Sequence, residues 1–293
     1  MLAVAVALVA VACGSGSETA REPIRIGSKD FAEQRILGEA YAQLLDANGY
    51  AVEREFNLGG TPVAHAALTS GEIDCYPEYT GTALLTVLEG EPSADREAVY
   101  RRVAQAYRQR YDLRWLQPSP MSNSQALVTT TATARQYGLE TVSDFAARAS
   151  ELILAGPPEF RARADGLPGL KQAYGNFELA AYKAVDPGLR YRALLAGEAD
   201  AVVGFTTDGE IAARDLVVLA DDRNLFPPYQ VAPVVRAQLL AQRRGLQATL
   251  NKLAPHITTE RMRQLNYRVT GKQQEPAAVA RSLLTEADLL PAP

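Results

Sequence analysis

A chain of 293 residues, 47% hydrophobic and 22% charged, has enough apolar content to bury two cores of ordinary domain size and too much to be a disordered or fibrous protein. The formal net charge is −4 and the arginines are dispersed with no basic run, which excludes the electrostatic footprint of a nucleic-acid binder. Two cysteines and two histidines, not clustered, give no basis for a metal centre, and no motif calls for a cofactor.

Residues 1–12 form an unbroken apolar run, too short to span a bilayer, followed by Cys13 and the small, polar stretch Gly14 to Thr19. That order predicts a signal peptide and a flexible tether over residues 1–22. The small residues before Cys13 resemble a bacterial lipobox, which implies lipidation of Cys13 and a membrane-anchored, extracytoplasmic protein. Ala10 stands where that motif usually has Leu, and no Lys or Arg precedes the run. With Cys13 acylated, Cys75 has no disulfide partner and is expected as a buried, inert thiol.

From residue 24 the pattern alternates. Ile24 to Gly27 predicts a strand, Phe31 to Leu45 a helix stopped by Asn48-Gly49, Tyr50 to Phe56 a second strand, and the turn Leu58 to Pro62 leads into a helix ending near Ser70. This βαβα order is that of a largely parallel sheet. The chain then reaches Gly71-Glu72-Ile73-Asp74-Cys75-Tyr76-Pro77-Glu78-Tyr79-Thr80-Gly81-Thr82, a short strand ending in aromatic, hydroxyl and carboxylate groups. Further on, the pattern predicts a helix from Thr82 to Leu88, an amphipathic helix from Arg96 to Arg110, a short strand holding Trp115 in the core, and a strand from Ser124 to Thr130.

The second half predicts a strand at Leu152 to Ala155, a proline- and glycine-rich loop from Gly156 to Gly166, a helix from Leu167 to Tyr174 and a strand at Val217 to Leu219. Phe226-Pro227-Pro228-Tyr229 is stiff and extended, because each proline fixes its own φ and restrains its predecessor, and it predicts a return crossing that fixes Tyr229. Ala237 to Leu253, Thr258 to Leu265 and Pro276 to Leu284 are helical in pattern and close the first half. The expected division is lobe I at residues 23–123 plus 229–293, and lobe II at 124–228.

One unit occurs twice. Ala67-Leu68-Thr69-Ser70-Gly71-Glu72-Ile73-Asp74 matches Ala193-Leu194-Leu195-Ala196-Gly197-Glu198-Ala199-Asp200, and the same register pairs Tyr79 with Phe205 and Thr80 with Thr206. Each copy reads as a helix ending at a glycine, a strand starting near the Asp, and an aromatic residue at the strand's carboxyl end. Ligands of open α/β sheets sit outside those ends, so Tyr79 and Phe205 are expected across one cleft.

With these residues the chain resembles the substrate-binding proteins of bacterial ABC importers for quaternary-ammonium osmoprotectants. The resemblance rests on Ile26-Gly27-Ser28-Lys29-Asp30-Phe31 with Glu33-Gln34, Leu58-Gly59-Gly60-Thr61, Tyr76 to Thr82, Pro158-Glu159-Phe160, Asp165 to Gly169, Asp186 to Tyr191, Thr206 to Gly209, Phe226 to Tyr229 and Leu265-Asn266-Tyr267. It implies an α/β type II periplasmic-binding-protein fold, two lobes joined by two crossing strands, with a ligand cleft between them.

The ligand implied is a small zwitterion of the glycine betaine, proline betaine or carnitine type, passed to a membrane permease by a monomeric receptor that is not an enzyme. The resemblance makes Tyr79, Phe205, Tyr229 and Gln125 the cage positions and Lys29, Thr82 and Arg163 the carboxylate contacts. Gln34, Asn123 and Thr206 are further lining, while Asp208 is expected to cap the helix that follows it. Gln125 and Phe205 stand where the family commonly has tyrosine. The loss of one wall at Gln125 leaves room for a larger trimethylammonium compound such as ergothioneine, and choline is a further alternative. An enzyme on a similar two-lobed fold is the competing class, but Cys75 and the two histidines lie in no nucleophile–base motif.

Overall fold

The computed structural model describes residues 22–162, 166–186 and 188–290. Two five-stranded sheets are built to one plan. The first holds β1 (Ile24–Gly27), β2 (Val52–Glu55), β3 (Cys75–Tyr79), β4 (Leu113–Trp115) and β10 (Val231–Arg236), in the order β2-β1-β3-β10-β4. The second holds β5 (Gln125–Thr130), β6 (Ile153–Gly156), β7 (Ala181–Ala184), β8 (Ala201–Phe205) and β9 (Leu216–Val218), in the order β7-β6-β8-β5-β9. In each, three strands run parallel and the fourth position is taken by an antiparallel strand, β10 or β5, which also pairs with the short edge strand.

Both faces of each sheet are covered, so the inner strands are buried along most of their length. Along β10, Val231 and Val235 enter one core with Ile24, Ile36, Leu37 and the carboxyl-terminal helices, while Ala232 and Val234 enter another with Leu68, Tyr76, Tyr107 and Trp115. The side-chain period of two divides the residues in this way. Trp115 is 6% exposed, as its sequence context predicts, and Cys75 lies fully buried in β3, where burial pushes its thiol well above the usual range. The helix Ala32–Ala47 packs its apolar stripe on the first sheet and stops at Asn48 and Gly49, the latter at φ +80°.

The internal repeat is structural. β3 and β8 take the same place in their sheets and keep one 126-residue offset, Cys75 to Ala201 and Tyr79 to Phe205. Gly71 and Gly197 both adopt positive φ after the preceding helices. Asp74 and Asp200 make the same bonds: each donates its backbone N–H to the neighbouring strand (Arg25 O at 2.8 Å; Ile153 O at 2.9 Å), and each carboxylate accepts the N–H of that same residue (3.0 and 2.7 Å). The Asp therefore begins the strand by locking its register to the parallel neighbour.

Four elements are absent from the sequence pattern. β7 is a short edge strand with no buried residue, and the helices Thr131–Tyr137 and Val142–Arg148 are seven residues each. β10 contains Pro233, directly opposite Pro77 of β3, and a proline argues against a central strand because it cannot donate to the ladder.

Asp74 also accepts from the Arg25 side chain at 3.0 Å and from Arg236 at 3.3 Å, tying β1 to the end of β10. Asp74→Ala should lower the unfolding free energy by about 1–3 kcal/mol, because it leaves the partly buried Arg25 N–H and two guanidinium groups without their acceptor. Urea titration measures this, and a loss within about 0.5 kcal/mol, as for an ordinary surface change, would contradict it.

Candidate functional site

The carboxyl ends of β3 and β8 open on a cavity of about 550 Å³ between the two sheets. Tyr79 and Phe205, the repeat partners, both line it, as do Tyr229, Gln125, Asn123, Lys29 and Thr82. Cross-strand register brings the wall together. Phe205 is the direct partner of Gln125 on β5, and Tyr79 is the partner of Val231, two residues beyond Tyr229.

The two segments that pass between the sheets bind each other beside the cavity. Asn123 N donates to Tyr229 O (3.1 Å), Tyr229 N to Ser122 Oγ (3.0 Å), and Ser124 Oγ to Pro227 O (3.0 Å). Gly81 lets the second crossing come close, since a Cβ there would lie 2.8 Å from Pro228 O and from the Tyr229 ring. The glycine thus seats the Pro228–Tyr229 segment against β3, and Tyr229 with it.

Charge is distributed unevenly around the cavity. The Lys29 ammonium is 4% exposed and donates to Glu78 Oε1 (2.6 Å) and Thr61 Oγ1 (2.7 Å), lying 5.0 Å from the centroid of the Tyr79 ring. Glu78 is fully buried, and its carboxylate also accepts from Tyr79 N (2.6 Å) and the Tyr76 hydroxyl (3.0 Å). Asp208 does not cap the helix Gly209–Ala213, although it stands at the capping position. Its carboxylate turns back to accept from Phe205 N (2.7 Å), the Tyr191 hydroxyl (2.6 Å) and Arg190 (2.7 Å). These stronger, partly charged donors outcompete the helix N–H groups and fix the backbone at Phe205. The Arg190 guanidinium lies 5.8 Å from the Phe205 ring centroid.

Glu33, on the first turn of the helix Ala32–Ala47, is the group that sequence patterning misses most completely. Only 3% exposed, it accepts from the Tyr79 hydroxyl (2.7 Å), Asn123 Nδ2 (2.8 Å) and Asn266 Nδ2 (2.8 Å). Burial raises its carboxyl above the usual range, and hydrogen bonds from Tyr79, Asn266, Thr207 and Asn123 oppose that rise. Phe31 adds a half-open aromatic face, stacked at 21° to Tyr79 with centroids 6.3 Å apart. Both residues belong to the Lys29-Asp30-Phe31 and Glu33-Gln34 motifs, so the signal was present but gave no direction for the side chains.

Two lining candidates are not on the cavity surface. Gln34 is fully buried behind the wall and accepts from Lys29 N (3.3 Å), while Thr206 accepts from Ser124 N (3.0 Å) and donates to Ser122 O (2.6 Å), beside a separate surface groove. Arg163 and Cys13 lie outside the described residues. Among the described residues there is no cluster of metal-ligating side chains, and no helix is long and apolar enough to cross a membrane.

Comparison with known proteins agrees with this geometry. Residues 22–286 match the family model described as the substrate-binding domain of ABC-type glycine betaine transport systems. The glycine-betaine-binding protein of Pseudomonas aeruginosa is 36% identical over 279 residues, covering 92% of this chain and 89% of that protein. The ergothioneine transport permease/ergothioneine binding protein EgtU of Helicobacter pylori is 32% identical over 92% of this chain, which spans 48% of that protein. A crystal structure of a glycine betaine/carnitine/choline ABC transporter chain superposes with a TM-score of 0.87 at 33% identity, over 91% of this chain and 99% of the other. The chain therefore belongs to the family of substrate-binding domains of ABC-type glycine betaine transport systems, and its two sheets are the two lobes of a type II periplasmic-binding-protein fold.

Proposed function

We propose that the chain is the extracytoplasmic receptor of an ABC importer and holds a quaternary-ammonium zwitterion of the glycine betaine, proline betaine or carnitine type in the cavity between the sheets. The observation that carries this reading is that Tyr79, Phe205 and Tyr229, from three separate parts of the chain, line one cavity at the carboxyl ends of β3 and β8. A trimethylammonium group has no N–H and is recognised by π-faces, each contributing about 0.5–2 kcal/mol. Three faces fall short of the roughly 8 kcal/mol of micromolar binding, so a second set of contacts must hold the ligand's other end.

Lys29, Thr82 and Arg163 are the proposed carboxylate contacts, with charge-assisted bonds from the arginine the strongest of them. Gln125 and Asn123 complete the polar wall. Lobes at 23–123 plus 229–293 and at 124–228 close on the ligand, and the ligand's preference for the closed state offsets the cost of closure. The receptor is anchored through lipidated Cys13 and releases its ligand unchanged to the permease.

A second reading, choline or a larger compound such as ergothioneine, draws support from two observations. Glu78 already neutralises Lys29, which weakens that residue as a carboxylate clamp. Gln125 also puts an amide instead of a ring beside Phe205, its cross-strand partner, and the loss of that wall favours a longer ligand.

Tyr79→Ala should weaken every trimethylammonium ligand by at least about tenfold, the value of one strong π-face, and unchanged affinity by calorimetry would remove Tyr79 from the site. Arg163→Ala should harm glycine betaine and carnitine far more than choline, which has no carboxylate; equal losses would assign Arg163 to closure instead. Glu78→Gln should cost about 3–5 kcal/mol in urea titration, because it leaves the Lys29 ammonium buried without its counter-charge. The double change Lys29→Met with Glu78→Gln should recover part of that loss, and a single-variant cost below about 1 kcal/mol, typical of an exposed pair, would contradict the burial argument.

A further inference from the structure

Glu33 is a carboxylate on the cavity wall, 3% exposed, for which the described residues provide no cation: none of the described ion pairs includes it. The other charges near the cavity are provided for. Lys29 is matched by Glu78, and Arg190 by Asp208. Glu210, also on the wall, is half-buried, so water screens it. Glu33 instead meets neutral donors on both oxygens: the Tyr79 hydroxyl and Asn123 Nδ2 on Oε1, and Asn266 Nδ2 on Oε2. With donors facing both oxygens, that arrangement suits the anion.

A buried anion held only by neutral groups is costly, and a cation brought to the same cavity relieves the cost. The hydrogen bond from the Tyr79 hydroxyl at 2.7 Å links this carboxylate directly to a ring proposed as a wall of the cation cage, and enriches that ring in electron density. Cage positions with Gln125 and Phe205 in place of tyrosine have less of their own negative character to offer. We infer that Glu33 is the specificity-determining counter-charge of the site, selecting cationic ligands over uncharged ligands of the same shape, through space and through the Tyr79 phenol. This rests on the cation-cage reading given above and adds to it the group that makes the site sense charge rather than shape.

The test compares ligands that differ only in charge: choline against its uncharged isostere tert-butylethanol, and glycine betaine against tert-butylacetate. Titration calorimetry is run on the wild type, Glu33→Gln, Glu33→Ala and Glu33→Asp, with circular dichroism to confirm folding. Affinity for choline and glycine betaine should fall by about tenfold or more in the Gln and Ala variants, while the tert-butyl compounds lose little or bind better. The Asp variant should keep most of the charge preference. The alanine variant, which admits water and places no amide hydrogen against the three donors, carries the comparison if the Gln variant does not fold. Where an isostere binds too weakly to titrate, the order Asp above Gln in choline affinity supports the inference, and the reverse order overturns it. Equal loss for cation and isostere, or unchanged cation affinity, would make Glu33 a structural anchor only. Failure of the wild type to bind any trimethylammonium ligand would instead overturn the functional reading, and this inference with it.

Discussion

The antiparallel strand in the fourth position of each sheet sets the register of the cavity wall. β10 reaches the first sheet from the second crossing and pairs through Val231 with Tyr79; β5 enters the second sheet from the first crossing and pairs through Gln125 with Phe205. A slip of one residue in either ladder would turn its alternating side chains to the opposite face and take the cavity wall apart. Asp74 and Asp200 pin β3 and β8 to their parallel neighbours, so the register that builds the site is held from both sides.

The same geometry brings charge together around the cavity, and two different solutions appear. Lys29 and Glu78 neutralise each other below the Tyr79 ring, and Arg190 and Asp208 do so behind Phe205. The buried Lys29–Glu78 pair adds little net stability over apolar packing, but removing one member is expensive, so it fixes the position of the ring it flanks, and the partly buried Arg190–Asp208 pair does the same more weakly. Glu33 is held by neutral donors instead, among them groups from the first crossing and from the helix Thr259–Thr270. Asn266 also donates to Thr207 O (2.8 Å), beyond the end of β8, so the Glu33 network joins the last residue of β3 to the segment that follows β8.

Much of this was legible in the residues. The duplicated unit gave the position of β3 and β8 and the meeting of Tyr79 and Phe205, because strand order and a C-terminal glycine are local signals that survive folding. β10 was not legible, since Pro233 reads as a strand breaker unless its partner Pro77 is known to lie opposite. Lys29 and Glu78 are 49 residues apart in sequence, and nothing local announces their pairing. Asp208 illustrates the limit best: it occupies a capping position by pattern, yet Arg190, Tyr191 and Phe205 N compete for its carboxylate and win. Contacts between elements decide such side chains, and periodicity carries no information about them.

On the reading proposed above, the cavity at the ends of β3 and β8 takes a quaternary ammonium. A thermal-shift panel of glycine betaine, proline betaine, carnitine, choline, ergothioneine and proline on the wild-type protein tests it most directly, because a ligand at a hundred times its Kd stabilises the native state by about 2.7 kcal/mol. At least one permethylated member should raise the melting temperature while proline, which carries N–H groups and no quaternary centre, leaves it unchanged. A flat panel, or a shift with proline alone, would mean that the cavity does not take a quaternary ammonium.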